Sequence, residues 1–133
     1  MLDLSSLGKA IASLKRGLIR AQADLSDEEI RDGAIQRFEY TFELCWKMLK
    51  RQLQIEVPNS SDVDGMSFRE LIREGFERGY IDNPEDWFLF REHRNAVSHS
   101  YNEERAKLVF QSAVAFEPIA RSLFESLKAK NHD

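Results

Sequence analysis

The sequence predicts an all-α fold, an antiparallel up-and-down bundle of four to five helices, and three observations lead to it. Apolar residues recur every three or four positions through most of the chain, which is the spacing of one helix face. No alternating strand pattern, internal repeat or low-complexity tract is present. Glycine and proline, which interrupt helices, number only 6 and 3 among 133 residues. This length suits one domain over 1–133, with a core of about 4–128 and a disordered C-terminal tail.

The first two helices follow from apolar seams and a capping signal. Ser26 and Glu29 form a capping-box pattern, so we expect one helix over about 4–24 and a second that begins at this box. The second should continue to Pro58, because proline lacks the N–H that a helix interior needs. The inward positions of the first helix are Leu4, Leu7, Ile11, Leu14, Leu18, Ala21 and Leu25. Those of the second are Ile30, Ile35, Phe38, Phe42, Cys45, Trp46, Leu49 and Leu53.

A loop and a short helix occupy the middle of the chain. Residues 58–66 concentrate turn formers and predict the clearest loop in the sequence. Ser67 and Glu70 form a second capping box, which starts a third helix over about 68–78. Gly79 is placed to close this helix in the left-handed conformation, which glycine adopts without steric cost.

Two further helices complete the predicted bundle. Asn83 would cap the fourth helix, with Pro84 at its first position, and this helix carries Arg94 near its end. Asn102 would open the last helix, which Pro118 should bend. The inward positions of these two helices are Trp87, Phe90 and Val97, followed by Ala106, Val109, Phe110, Ala113, Phe116, Leu123 and Leu127.

Charge and composition restrict the classes of function. A net charge of −4 and a pI near 5.5 argue against a broad surface that binds nucleic acid by counterion release. The longest apolar run, 87–90, is far shorter than the roughly 20 residues that span a bilayer, and no secretory signal is visible. The single cysteine, Cys45, cannot form an internal disulfide and has apolar neighbours, so we expect a buried thiol and a cytoplasmic protein. No recognisable set of metal ligands occurs, and neither metal nor cofactor is expected.

The strongest concentration of chemistry is the run Arg94-Asn95-Ala96-Val97-Ser98-His99-Ser100-Tyr101. It combines a permanent cation, an amide, an imidazole and a phenol. If one helix continued through it, Arg94 and His99 would face different neighbours, since five residues correspond to about 140° of rotation. We therefore expect the helix to end near Ser98, so that the motif lies at a helix-to-helix corner. A small RNA site there is compatible with the acidic net charge.

In residue type and spacing, Arg94-x4-His99-x-Tyr101 resembles the Arg-x4-His-x-Tyr signature of HEPN domains, small helical bundles that often act as ribonuclease toxins. The resemblance extends to Gln-Arg-Phe-Glu-Tyr-Thr-Phe-Glu-Leu-Cys-Trp-Lys at 36–47 and to Trp87, which are similar to one bacterial branch of that family. This branch is paired with minimal nucleotidyltransferases. Its members are described either as the substrate-binding partner of the nucleotidyltransferase or as the toxin of a toxin–antitoxin pair.

The resemblance implies a metal-independent ribonuclease. His99 would serve as the catalytic base or acid, and Arg94 would bind the scissile phosphate and stabilise the charge that grows on it. Asn95, His93 and Arg91 would contact the substrate. A homodimer, with both motifs facing one cleft, would supply a second acid–base group.

The resemblance also implies a partner, a minimal nucleotidyltransferase encoded nearby. In toxin-type relatives the tyrosine that matches Tyr101 accepts AMP from that partner, which silences the ribonuclease. Two other functions stay open at this point: a non-catalytic subunit that binds substrate or nucleotide for the nucleotidyltransferase, and a pure interaction module in which the motif is only a structural corner.

Several residues also have simpler structural interpretations. Arg94 could pair with Glu92, Glu39 or Glu43 and fix the corner, and His99 could cap a helix end. Tyr101 could pack on Trp87 or Phe90. The carboxylates at 39 and 43 and the lysine at 47 read as an exposed ion-pair row, and His93 as a solvent-facing residue or a phosphate contact. The aromatic residues expected in the core, rather than in a base-stacking platform, are Phe38, Phe42 and Trp46.

Overall fold

The computed structural model describes residues 1–97 and 102–131, and every regular element in those ranges is an α-helix. The helices are α1 (Ser5–Ala23), α2 (Glu28–Glu56), α3 (Ser60–Asp64), α4 (Phe68–Glu77), α5 (Pro84–Val97) and α6 (Glu103–Lys130). The predicted all-α bundle is confirmed, with one short helix more than expected. Within the described ranges, no helix is long and apolar enough to cross a membrane.

The three longest helices form the centre of the bundle. Helices α1, α2 and α6 pack on one another, and α5 packs on α6. Helices α3 and α4 cover the C-terminal half of α2, where Asp64 accepts a hydrogen bond from Gln54 and Gly75 lies against Leu49. This arrangement leaves the C-terminal end of α5 facing the middle of α2.

An aromatic cluster fixes α5 and α6 against α2. The ring of Phe116 lies 5.3 Å from the rings of Phe38 and Phe90, 5.6 Å from Trp87 and 5.8 Å from Phe42. All five side chains are buried, and each such ring contributes about 1.5–3 kcal/mol of transfer free energy. Most of the contacts with Phe116 are edge-to-face, an arrangement that aromatic rings prefer. The interpretation of Phe38 and Phe42 as core residues is therefore confirmed.

Most of the predicted helix ends are confirmed. Ser67 and Glu70 make both hydrogen bonds of a capping box. Gly79 has a φ of +88° and closes α4 in the left-handed conformation. The side chains of Asn83 and Asn102 accept hydrogen bonds from first-turn backbone N–H groups of α5 and α6.

The predicted capping box at Ser26 is wrong by one residue. Asp27 is the N-cap of α2, and its carboxylate accepts a hydrogen bond of 3.1 Å from the backbone N–H of Ile30. The Ser26 hydroxyl instead donates to Asp24 at 2.6 Å. A carboxylate one position later is a stronger acceptor than the hydroxyl and complements the positive end of the helix dipole, which accounts for the shift.

Three other expectations need correction. The stretch 58–66 is not loop throughout, because Asn59 caps α3 and Val63 anchors that helix in the core. Leu25 is 74% exposed, since α1 ends before it and the seam does not reach that far. Trp46 is only half-buried and packs edge-on against the ring of Phe68, at 6.1 Å.

The last helix extends further than the predicted core. Helix α6 includes Pro118 and ends at Lys130, so regular structure continues beyond residue 128. The bend expected at Pro118 stays a prediction. The rest of the expected disordered tail, 132–133, lies outside the described residues.

Candidate functional site

Arg94 lies in the last turn of α5, on the side of that helix that faces the protein. Trp87 and Phe90 precede it by seven and four residues, so all three share one helix face. The two aromatic side chains are 1% and 4% exposed, and they direct this face into the core. Because of this register, the stem of Arg94 is partly covered, and 29% of its side chain is exposed.

The guanidinium of Arg94 meets a carboxylate of α2. Its Nη2 lies 3.0 Å from Oε1 of Glu43, and its Nη1 donates a longer hydrogen bond, of 3.3 Å, to Oδ1 of Asn95. Its Nε is buried and has no hydrogen-bond partner among the residues that the structure describes. Of the structural interpretations open for Arg94, pairing with Glu43 is the one that the structure confirms.

The carboxylates of α2 are not the exposed row that the sequence predicted. Lys47 does contact Glu43, at 3.8 Å, but both Glu43 and Glu39 are half-buried at the Arg94 end of α5. Burial raises the pKa of Glu39 above its usual value, and the positive charge of Arg94 opposes that rise. Arg94 and Lys47 therefore both contact Glu43, and the charge of Arg94 also acts on Glu39.

His93 and Arg91 point to other parts of the bundle. The Nδ1 of His93 is hydrogen-bonded to the hydroxyl of Ser112 on α6, and the ring is half-buried, so the solvent-facing interpretation is wrong. The guanidinium of Arg91 lies 4.6 Å from the ring centroid of Phe68, at the start of α4. The structure thus brings Asn95, but neither His93 nor Arg91, into contact with Arg94.

The rest of the motif, 98–101, lies outside the described residues. The roles predicted for His99 and Tyr101 therefore stay predictions, as does the expectation that the helix ends near Ser98. Among the residues that are described, no group of three or more His, Cys, Asp or Glu side chains could hold a metal ion.

Two interactions near the motif were missed by the sequence reasoning. Arg31 is 7% exposed and binds Glu103 through both terminal nitrogens, at 2.5 and 3.2 Å, which fixes the first turn of α6 against α2. The hydrogen bond to Glu103 raises the pKa of Arg31, burial opposes that rise, and the hydrogen bond to Asp32 adds to it. The other interaction is the hydrogen bond between His93 and Ser112. Its signal in the sequence was a polar residue within the apolar stripe of α6, at a position that is buried in the structure.

Cys45 is a buried thiol, as predicted. It is 0% exposed in the core, and burial raises its pKa, so its reactive thiolate form is disfavoured.

The helical fold and the Arg-x4-His-x-Tyr motif of the sequence are those of one class, the small helical bundles of HEPN type. Residues 2–129 match the family model described as "Nucleotidyltransferase substrate binding protein like", and the chain belongs to that family. Within the HEPN class this corresponds to the branch associated with minimal nucleotidyltransferases.

A curated protein and two solved structures are similar to this chain over most of its length. A curated protein of Haemophilus influenzae, named probable ribonuclease HepT, is 33% identical over 98% of this chain and 94% of its own length. A solved structure from Haemophilus influenzae, described as revealing the fold of a substrate-binding domain of a nucleotidyltransferase, superposes with a TM-score of 0.88 at 31% identity, covering 95% of this chain and 99% of that one. A protein from Thermus thermophilus superposes with a TM-score of 0.74 at 29% identity, over 92% of this chain and 98% of that one.

Proposed function

We propose that this protein is a metal-independent ribonuclease toxin of a toxin–antitoxin pair, neutralised by a minimal nucleotidyltransferase. The observation that carries the proposal is the placement of Arg94. It is held by Glu43 at the end of α5, partly exposed, five residues before His99 in the sequence. The relative named probable ribonuclease HepT, which aligns over 98% of this chain, adds support.

The proposed reaction is transesterification within the RNA strand. The 2′-hydroxyl attacks the adjacent phosphorus, the bond from the 2′ oxygen to phosphorus forms, and the bond from phosphorus to the 5′ oxygen breaks. His99 takes the proton from the 2′-hydroxyl or gives one to the leaving oxygen, and the guanidinium of Arg94 stabilises the charge on the phosphate. The products carry a 2′,3′-cyclic phosphate and a 5′-hydroxyl.

Two chains suit this chemistry better than one, because a single imidazole cannot act as base and acid in the same step. In a homodimer the His99 of a second copy supplies the other proton transfer. In this proposal Asn95, which is exposed beside Arg94, makes one more substrate contact. His93 and Arg91 make contacts within the bundle, with Ser112 and Phe68. They therefore contribute less to substrate binding in this proposal than Arg94 does.

The proposed control acts through Tyr101. The nucleotidyltransferase transfers AMP from ATP to the phenol: the bond from the Tyr101 oxygen to the α-phosphorus forms, the α–β anhydride bond breaks, and pyrophosphate leaves. The phenol proton passes to solvent or to a base of the partner. A bulky, charged adduct two residues from His99 then blocks the RNA site.

The second candidate is a non-catalytic subunit that binds substrate or nucleotide for the nucleotidyltransferase. The description of the family and that of the Haemophilus influenzae structure favour it. In this alternative Arg94 binds a phosphate without promoting its cleavage, and His99 adds a contact rather than moving a proton.

One experiment separates the two candidates. The purified protein and its His99→Ala variant are incubated with total cellular RNA in EDTA, and the ends of any products are analysed. The ribonuclease proposal expects cleavage by the wild type alone, with cyclic phosphate ends. The absence of cleavage by a protein whose Tyr101 is unmodified by intact mass would contradict it and favour the binding subunit.

A further inference from the structure

Glu43 of α2 binds Arg94 through one of the two terminal nitrogens of the guanidinium. Glu43 contacts Nη2 at 3.0 Å, whereas Nη1 makes only the long contact of 3.3 Å with Asn95 within the described residues. Nε is buried, so it cannot reach a ligand from solvent. The edge of the guanidinium that carries Nη1 is therefore the part left for an anion.

The pair is built to keep its geometry. Arg94 and Glu43 are 29% and 28% exposed, so solvent screens their attraction less than it would at a fully exposed position. Lys47 contacts the same carboxylate at 3.8 Å from one helical turn further along α2. The stem of Arg94 shares a helix face with the buried Phe90.

We propose that Glu43 is a positioning residue for Arg94, which it orients so that the Nη1 edge receives a phosphate group. The inference rests on the proposed function insofar as Arg94 binds phosphate. The role proposed for Glu43 differs from that of a competing counterion. Glu43 engages one terminal nitrogen of Arg94 and leaves donors of the planar guanidinium to bind an oxyanion. The proposed role also differs from that of a simple brace between helices, because a positioning residue must affect ligand binding and turnover.

Three variants separate these roles. Glu43→Gln keeps an oxygen that accepts from Nη2 and removes the charge, whereas Glu43→Ala removes both. Glu92→Ala is the matched control, since Glu92 is an exposed carboxylate of α5 two residues from Arg94, with no hydrogen bond or ion pair to it in the described structure. Thermal unfolding of each variant is measured with the kinetics, so that loss of fold is recognised.

The RNA cleavage kinetics give the first readout. We expect kcat/KM to fall at least about 10-fold in Glu43→Ala, because a misplacement of about 1 Å can cost 10²-fold. Glu43→Gln should recover most of that loss, and Glu92→Ala should match the wild type. A gain in activity for both Glu43 variants would identify a competing counterion. Unchanged kcat and KM with reduced thermal stability would identify a brace, and either result would overturn the proposal.

A second readout does not depend on cleavage. The probe is 5′-AMP, and the signal is the ¹⁵N–¹H correlation of Arg94 Nε, assigned by its loss in Arg94→Lys. We expect AMP to shift this signal in the wild type and in Glu43→Gln, with an apparent affinity at least about threefold weaker in Glu43→Ala. Equal responses in all three proteins, or no response in the wild type, would overturn the inference. If AMP shifts the Arg94 signal as expected but no RNA is cleaved, the ribonuclease proposal is refuted and the positioning role of Glu43 is still supported.

Discussion

The terminal nitrogen Nη2 of Arg94 lies 3.0 Å from the carboxylate oxygen Oε1 of Glu43. This ion pair joins two parts of the sequence that carry the family resemblance separately, the stretch 36–47 on α2 and the motif that begins on α5. The aromatic cluster around Phe116 sets the two helices at the separation that allows the contact.

Arg94→Lys tests the need for a guanidinium. Lysine keeps the positive charge but replaces the planar fork with a single ammonium, which cannot bind Glu43 and a phosphate along two edges. We expect RNA cleavage to fall by about 10², the range seen when one donor to a transition-state oxyanion is removed. The control is Arg69→Lys, at an exposed arginine whose guanidinium lies over the ring of Phe88. Equal activity of Arg94→Lys and wild type would contradict the role given to Arg94.

Local features of the fold could be predicted from the sequence, whereas long-range pairing could not. The capping box at Ser67 and the cap at Asn102 depend on residues within one helical turn, and both were found. Periodicity identified Phe38 and Phe116 as core residues because helix geometry alone sets the face they share. The N-cap of α2 is Asp27 rather than Ser26 because two adjacent side chains compete to accept the same hydrogen bond. The sequence pattern does not show which of the two is the better acceptor.

The candidate site was predicted in part. The sequence offered three carboxylates for Arg94, but the choice of Glu43 depends on how α5 crosses α2, which no local pattern encodes. The hydrogen bond between His93 and Ser112 was missed because it depends on how α5 packs on α6. Arg31 and Glu103 are separated by 72 residues, so their pairing had no sequence signal at all.

Arg31→Met tests the ion pair that fixes the start of α6. Hydrogen bonds to charged groups contribute about 1.5–3 kcal/mol each at most, and the partly exposed carboxylates of Glu103 and Asp32 recover some solvation when Arg31 is lost. We therefore expect the free energy of unfolding to fall by about 1–3 kcal/mol, measured by urea denaturation. Arg73→Met is the comparison, since its ion pair with Glu85 is more than half exposed and should contribute less than about 1 kcal/mol. Equal losses in the two variants would refute the special role of Arg31.

A pair of glycine substitutions tests the backbone at the end of α4. Gly79→Ala should cost about 1–2 kcal/mol, because φ is +88° there and an added Cβ disfavours the left-handed conformation. Gly33→Ala, in the second turn of α2, should stabilise the protein by about 0.5–1 kcal/mol, because alanine favours helix. The added Cβ meets no atom within 4 Å at either position, so backbone conformation alone separates the two outcomes. Thermal unfolding that shifts in the same direction for both would contradict the assignment of Gly79.

Glu56 should make stability depend on pH. Burial works to raise its pKa, but hydrogen bonds from Tyr80 and Gln52 and the nearby charge of Arg78 outweigh burial and lower it. The folded pKa thus lies below the unfolded value of about 4.3, so this stabilisation is present above that pH and is lost as the pH falls through the folded pKa.

Glu56→Gln provides the test, since glutamine still accepts a hydrogen bond but does not titrate. From about pH 5 to about pH 3, the wild type should lose more unfolding free energy than Glu56→Gln, as measured by urea denaturation at several pH values. Glu77→Gln, at an exposed residue at the end of α4, should follow the wild type. Parallel curves for wild type and Glu56→Gln would contradict the lowered pKa.

The proposed ribonuclease activity requires that RNA is cleaved through the 2′-hydroxyl without a metal, with His99 moving the proton. The most direct measurement compares an RNA oligonucleotide with the same strand carrying one 2′-deoxynucleotide at the mapped cleavage position, both in EDTA, with wild type and His99→Ala. We predict that only the wild type cleaves, that it cleaves only the strand with the 2′-hydroxyl, and that the new end is a 2′,3′-cyclic phosphate. Cleavage of the deoxy-substituted strand at that position, or equal cleavage by His99→Ala, would contradict the proposed mechanism.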